Sequence, residues 1–498
     1  MSGKGRTSSR GGGSGDLRGW LECLEAEDEL KVVDVPVTPD GEIQEIARQM
    51  SARQGPAVLF ENVLGHERTW CSRLFVGSLN TFGKLALALG LPKDTPLPTT
   101  LERLRESLRT PVSPIVMNTG PVKENIISKG IDLNQIPVPW WHPQDGGRYI
   151  NMWHGVVTRD PESGEYNLGC YRGQIADKDK IVSLLVRSQH WGRQFEKYRE
   201  RGEDMPVAFV YGMDPAMMIA AGSPVTTCGP WGEYEWIGAM MGEPLRLVKC
   251  ETSNLCVPAS AEIVIEGHVL RDPDAYVMEG PLKEASGRYS EPAMMPVMKV
   301  ECITHRDDPI YTGSASGLAP ILEEQLVTIA AGTTAILKNH LQNAGIPVLD
   351  LTLAPFFAVS IKKMWEGHPM QVAYTLLGHK SSNLPVKMLV VVEENVNIYD
   401  PAAINRAINN NVDPAQDVHV LPVNNLIFDV ATSKDGSNIE NYGGVLGSKL
   451  FIDATVKWSR HPRQERWGGA RIAPVEPPPS EDEEKVKKRW AEYGFGQY

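Results

Sequence analysis

The run Glu262-Ile263-Val264-Ile265-Glu266-Gly267 (EIVIEG) sets three β-branched residues between glutamates and stops at a glycine. That is the composition of a short strand closed by a turn. Similar runs lie on either side: Val207-Ala208-Phe209-Val210-Tyr211 and Leu245-Arg246-Leu247-Val248, each bounded by Gly or Pro turns. Between about Val122 and Gly317 this spacing predicts a β-rich, barrel-like core. One long amphipathic stretch, around residues 178 to 200, interrupts it.

Outward from this core the pattern changes. From Leu17 to about Pro121, short helical and strand patterns predict a small α/β domain, with Ala57-Val58-Leu59-Phe60 as an apolar strand after a Gly-Pro turn. On the other side, Leu322, Leu326, Ile329, Ile336, Leu337 and Leu341 recur at three- and four-residue spacing. They predict a long helix over Pro320 to Asn343, stopped at Gly345. A buried strand at Lys387 to Val392 and a helix at Pro401 to Asn410 predict a second α/β domain over about 346–456. The Gly/Ser/Arg-rich residues 1–16 read as a disordered leader, and 457–498 as a tail with a Pro and acid linker and a short helix.

At 498 residues and 42% hydrophobic content, roughly 150 residues per domain gives about three domains. A net charge of −12 without a basic stripe argues against nucleic-acid binding. No span of about 20 apolar residues and no apolar signal segment is present in the sequence, so the expected location is cytoplasmic, away from membranes. Seven cysteines (Cys23, Cys71, Cys170, Cys228, Cys250, Cys256, Cys302) without a CxxC pair fit neither a disulfide scaffold nor a zinc knuckle. They are expected to be reduced and mostly structural.

Several stretches could carry chemistry. YVMEGPLKEASGRY, Tyr276 to Tyr289, places Glu279 and Glu284 five positions apart in a segment that Gly and Pro keep irregular. It is either a solvated loop or a turn in which one carboxyl trades protons while its partner stays charged. Asn167, Arg172, His190 and Glu233 could bind a cation or an acid, and an amide, an imidazole and a carboxylate suit Mn²⁺ or Mg²⁺ better than structural zinc. A lone histidine beside an apolar helix is equally an ordinary core or surface residue. Ala220 to Thr227 and Gly378-His379-Lys380-Ser381-Ser382 could contact a phosphate or a flavin-like ring, although neither is a P-loop or a GxGxxG.

Taken together, these residues resemble the UbiD family of reversible decarboxylases, which use prenylated FMN. The resemblance covers roughly residues 17 to 456. It is carried by the spacing of Asn167, Arg172, His190 and Glu233, by Met213-Asp214-Pro215-Ala216 leading to Ala220-Ala221-Gly222-Ser223, and by Ile237-Gly238-Ala239-Met240. Leu247 to Thr252 with Val257-Pro258-Ala259, the EIVIEG run, Glu279-Gly280-Pro281 with Glu284, and His379-Lys380 complete it. The sequence departs from cinnamate-type members at Lys283, where they carry Gly, and matches poorly around Asn441 to Leu446.

The resemblance implies an α+β multidomain chain: an N-terminal α/β domain (17–121), a split β-barrel cofactor domain (122–317), a connecting helix (318–345) and a C-terminal α/β domain for dimerisation and lid closure (346–456). It implies Arg172, Glu279 and Glu284 as the catalytic network, with Glu284 the proton donor, and a reaction through a covalent prenylated-FMN adduct. Cys170, Tyr171, Arg172, Gln189, His190, Gly222, Ser223, Pro224, Val225, Glu233 and Lys380 are the implied cofactor contacts. Asn167, His190 and Glu233 are the implied Mn²⁺ (or Mg²⁺) ligands, with an accompanying K⁺. By position, Val186, Gln189, Leu384 and Leu446 could touch substrate. The implied partners are a small carboxylic acid and carbon dioxide, a flavin prenyltransferase as cofactor supplier, and further copies of the chain in a homodimer or larger assembly. Two other readings remain open at this point: a cofactor-carrying subunit of a multisubunit aryl carboxylase, and an ordinary FMN-dependent reductase.

Overall fold

A computed structural model describes residues 14–187, 189–225, 231–318, 323–353, 356–382, 387–425, 445–473 and 480–495. Its centre is a nine-stranded sheet in which every pairing is antiparallel. The strands run in the order Tyr149–Asn151, Gly173–Asp177, Lys180–Ser183, Val297–His305, Ile263–Val269, Met205–Tyr211, Gly155–Arg159 and Tyr166–Gly169, with Asn125–Ile127 added beside Val297–His305. The EIVIEG run thus becomes an inner strand, buried on both faces. Alternation explains how: Val207, Phe209, Tyr211, Ile263 and Ile265 enter one apolar cluster, whereas Ala208, Val210 and Val264 enter another on the opposite face.

The N-terminal unit is a four-stranded sheet, Leu30–Val33, Ala57–Phe60, Arg73–Val76 and Ile310–Thr312. Its last strand comes from beyond the central sheet and pairs parallel with Arg73–Val76. Conversely, Ile115–Met117 pairs with Arg246–Lys249 and so joins the central unit rather than the N-terminal sheet. Of the leader expected over 1–16, residues 1–13 lie outside the described residues, and its end is bound: Ser14 Oγ and Gly15 N donate to Asp214 Oδ2 at 2.7 and 2.9 Å. Asp16 then caps the helix Leu17–Ala26 by accepting from Gly19 N at 2.8 Å. That helix buries Leu17, Trp20, Leu21 and Leu24, one face at helical spacing.

The amphipathic stretch of 178–200 divides into the strand Lys180–Ser183 and the helix His190–Glu200. The long helix begins at Glu324, later than expected, because Glu323 is extended (φ −124°, ψ 166°); residues 319–322, including Leu322, lie outside the described residues. Val327, Ala331 and Ala335 pack into the central core, and Leu337 and Leu341 into the C-terminal one. Leu326 and Ile329 are only half-buried, so the seam is carried by the smaller residues. The helix therefore ties two cores together.

In the C-terminal unit the strand order is Asp350–Thr352, Phe357–Ile361, Met388–Glu393, Val445–Asp453 and Val418–Asn425. Leu389 and Val391 face one apolar cluster; Val390 and Val392 face the other, under the helix Pro401–Asn411. The six described cysteines are free, and Cys228 lies outside the described residues. Among the described residues no helix is long and apolar enough to cross a membrane.

Candidate active site

Glu279 ends the strand Val277–Glu279, which pairs antiparallel with Ala293–Met295. Beyond it the chain turns back on itself: Lys283 bridges Tyr289, Glu284 N donates to Arg288 O at 2.8 Å, and Gly287 N donates to Glu284 O at 2.7 Å. The turn is pinned to the central sheet. Gly280 N donates to Gln174 Oε1 at 3.1 Å, Lys283 N to Asp145 Oδ1 at 3.1 Å, and Gly146 N to Pro281 O at 2.8 Å. A β-carbon at Gly146 would lie 2.0 Å from Gly280 O, so only glycine permits this approach.

These anchors aim both carboxylates at Arg172, on the link between the strands Tyr166–Gly169 and Gly173–Asp177. Its Nη2 donates to Glu279 Oε2 at 2.6 Å; its Nη1 donates to Glu284 Oε1 and to Ser290 Oγ at 3.0 Å. Tyr149 completes the set by donating its hydroxyl to Glu279 Oε1 at 2.8 Å. The side chain of Glu279 is 0% exposed and that of Glu284 is 23% exposed. Burial pushes the Glu284 carboxyl up, and the nearby Glu279 charge adds to this against the opposing pull of Arg172. Arg172 is held firmly in its charged form by Glu279 and Glu284 although burial opposes it.

The expected metal ligands lie on three elements: Asn167 on the strand Tyr166–Gly169, and His190 and Glu233 at the first positions of two helices. Glu233 opens the helix Glu233–Met241 and is buried, with Oε2 accepting from Leu168 N at 3.2 Å; burial pushes its carboxyl up to about 8. His190 opens the helix His190–Glu200 behind Gln189, and burial together with Lys380 and Arg193 pushes its imidazole down to about 4. Asn167 is buried, donates to Thr158 Oγ1 at 3.3 Å and accepts from Tyr171 Oη at 3.4 Å. The chemistry of this donor set suits a divalent cation: a carboxylate that burial drives to hold its proton, with only the Lys380 charge opposing, together with a neutral imidazole and an amide oxygen. Among the described residues there is no group of three or more His, Cys, Asp or Glu that could hold a metal ion.

Lys380 lies close enough to influence both His190 and Glu233, and burial with Arg193 pushes its ammonium down to about 8. Its turn is fastened over the residues Gly222 to Val225 by Ser381 Oγ, which donates to Pro224 O at 3.2 Å. Cys170 N donates to Ala221 O at 3.1 Å, and Tyr171 stacks on Trp191 with ring centroids 4.5 Å apart and planes 4° apart. Burial pushes the Cys170 thiol up to about 12, so it is a packing group rather than a nucleophile. Two cations, Lys380 and Arg193, at a helix N-terminus beside a small-residue turn fit a phosphate-bearing cofactor.

Of the expected substrate contacts, Val186 is buried in a small cluster with Leu184, Met295 and Val297, and Gln189 stands half-buried before the helix. Leu384 lies outside the described residues, as does the side chain of Leu446 on the strand Val445–Asp453. The sequence reading missed Tyr149, Ser290, Asp145, Gln174 and Arg193. Ser290 lies six residues after Glu284, and Arg193 lies one helical turn after His190; Tyr149, Asp145 and Gln174 are brought in by tertiary contacts alone.

Three successive parts of one family description match the chain in order: the 3-octaprenyl-4-hydroxybenzoate carboxy-lyase N-terminal domain over residues 21–104, the Rift-related domain over 115–319 and the C-terminal domain over 333–454. The chain belongs to the UbiD family. Enzymes of the UbiD family are carboxy-lyases that need prenylated FMN. The chain is 31% identical to the uncharacterised protein sll0936 of Synechocystis sp., over 97% of this chain and 96% of that protein. Its fold is similar to an evolved dimeric form of the UbiD-class enzyme HmfF from Pelotomaculum thermopropionicum in complex with prFMN (TM-score 0.76, 28% identity, 94% of this chain and 98% of that one). It is also similar to the vanillic acid decarboxylase of Sedimentibacter hydroxybenzoicus in closed form (TM-score 0.84, 29% identity, 95% and 98% covered).

Proposed function

We propose that this UbiD-family chain catalyses the reversible, non-oxidative decarboxylation of an aromatic, heteroaromatic or α,β-unsaturated carboxylic acid. The observation that carries the reading is the fork at Arg172, which binds the buried Glu279 and the raised Glu284 at once. Arg172 keeps its charge and attracts the substrate carboxylate. Glu279, fixed by Tyr149, orients the guanidinium. Glu284 carries the proton: as carbon dioxide departs, the electron pair of the broken bond stays on carbon and takes that proton. Prenylated FMN, when bound, supplies the electron sink that makes this departure feasible.

Asn167, His190 and Glu233 are proposed to hold Mn²⁺ or Mg²⁺, and Lys380 to meet the cofactor phosphate, beside the small-residue turn Gly222, Ser223, Pro224 and Val225. K⁺, a flavin prenyltransferase as supplier and assembly into homodimers or larger sets belong to the same reading, as does lid closure by the C-terminal domain.

The test is to produce the protein together with a flavin prenyltransferase, measure bound cofactor by mass and absorbance, and screen aryl, heteroaryl and acrylic acids for carbon dioxide release. Release from one class is expected. A protein loaded with cofactor and metal but inert toward every acid, in both directions, contradicts the reading and favours a subunit of a larger carboxylase.

A further inference from the structure

Each turnover of the proposed reaction leaves Glu284 as a carboxylate, R–COO⁻ + Glu284–COOH giving R–H + CO₂ + Glu284–COO⁻, so the site needs a proton before it can act again. A second buried acid lies behind the turn. Glu323, the residue before the long helix, is 1% exposed and stands outside the Arg172 network. Its carboxylate oxygens accept from Ser316 Oγ and Leu318 N, each at 3.3 Å. The same segment presses on the acid turn: a β-carbon at Gly317 would lie 2.9 Å from Lys283 Cγ and 3.1 Å from Lys283 O, next to Glu284 in the chain. Burial pushes the Glu323 carboxyl up to about 7, and the Glu284 charge contributes.

Glu323 also lines a small cavity with Glu324, Ser314, Asn80, Ser51 and Gly77, with room for about one water molecule. Among the described residues Ser314 Oγ and Asn80 Nδ2 have no hydrogen-bond partner, although each residue is 1% exposed. Unpartnered polar atoms at a buried cavity are the mark of a water site. The other charged groups around it are Glu324, pushed up to about 8 by burial, and Lys84, pushed down to about 8 by burial and 3.7 Å from Glu29.

Resting on the decarboxylase reading, we infer that Glu323 reloads Glu284, passing it a proton and drawing a replacement from water in the cavity lined by Ser314 and Asn80. The exchange balances as Glu323–COOH + Glu284–COO⁻ giving Glu323–COO⁻ + Glu284–COOH, followed by uptake of one solvent proton at Glu323. Glu323 is a positioning residue: it acts through Glu284 and touches no reacting carbon.

Two measurements on the full-length holoenzyme test this. In rapid-quench assays, Glu323→Gln completes its first turnover at the wild-type rate and slows in later turnovers by roughly ten- to a hundred-fold, with recovery in Glu323→Asp or on adding acetic acid. Equal slowing of first and later turnovers, or none, overturns the relay. In an infrared titration of protonated carboxyls, the band lost in Glu323→Gln titrates near neutrality in the wild type and at lower pH in Glu284→Gln; an unmoved band overturns the coupling. If the wild type turns over no acid, the decarboxylase reading fails, and the titration still decides whether the two acids are linked.

Discussion

Two buried glutamates of one site meet opposite circumstances. Glu279 has its own cation and a phenol, with Arg172 at 2.6 Å and Tyr149 at 2.8 Å. Glu233 has backbone N–H groups, its own and that of Leu168 at 3.2 Å, with Lys380 acting on it as a more distant charge, and burial pushes its carboxyl up to about 8. The difference teaches which half of the site is complete within the chain. A buried carboxylate held by a guanidinium and a phenol has its charge answered within the chain, whereas one held by backbone N–H groups and a more distant ammonium is driven to keep its proton.

The largest effect expected from breaking this contrast is at Arg172. Arg172→Ala strands Glu279, whose side chain is 0% exposed; it abolishes turnover and lowers unfolding stability by about 3–5 kcal/mol. Adding Glu279→Gln restores much of that stability. Urea unfolding checks both, and a loss below about 1 kcal/mol would mean the pair is not buried as described. At Glu233 the prediction is reversed: Mn²⁺ at about a hundred-fold over its Kd stabilises the wild type by about 2.7 kcal/mol, and Glu233→Gln removes the gain. Thermal unfolding with and without Mn²⁺ reads this, and equal gains in both proteins would dissolve the contrast.

Glu324 extends the comparison to pH. Its carboxyl accepts from Gly77 N and Ser78 N and is raised from 4.5 to about 8, mainly by burial. Between those values the folded state holds a proton that the unfolded chain has released, so this group makes stability fall as pH rises from about 4.5 to about 8. Stability measured across that window should fall less steeply in Glu324→Gln, and an identical slope would contradict the assignment. The smallest effect is Tyr149→Phe, about 1 kcal/mol from one lost hydrogen bond to Glu279, read as a modest fall in denaturation midpoint.

Much of this was legible in the chain. Strands such as Val207 to Tyr211 and Ile263 to Glu266 announce themselves because each must bury both faces, and the resemblance drew Arg172, Glu279 and Glu284 together before any geometry was known. What stayed hidden depends on distant pairing. Ile310–Thr312 completes the N-terminal sheet against Arg73–Val76, and nothing near residue 310 signals a partner more than two hundred residues away. Tyr149 and Asp145 become site residues only when the strand Gly173–Asp177 and the acid turn fold against them. The start of the long helix was misplaced because Glu323, a good helix former by propensity, is held extended and occupied by Ser316 and Leu318.

In the proposed reaction Glu284 delivers the proton. Cofactor-loaded wild type and Glu284→Gln, given the same acid in deuterated water, separate the possibilities in one assay. One deuterium is expected at the carbon that lost carbon dioxide in the wild-type product. Carbon dioxide release at least about a hundred-fold slower is expected in Glu284→Gln with cofactor still bound. Turnover in Glu284→Gln within about three-fold of wild type, with cofactor bound, would contradict it.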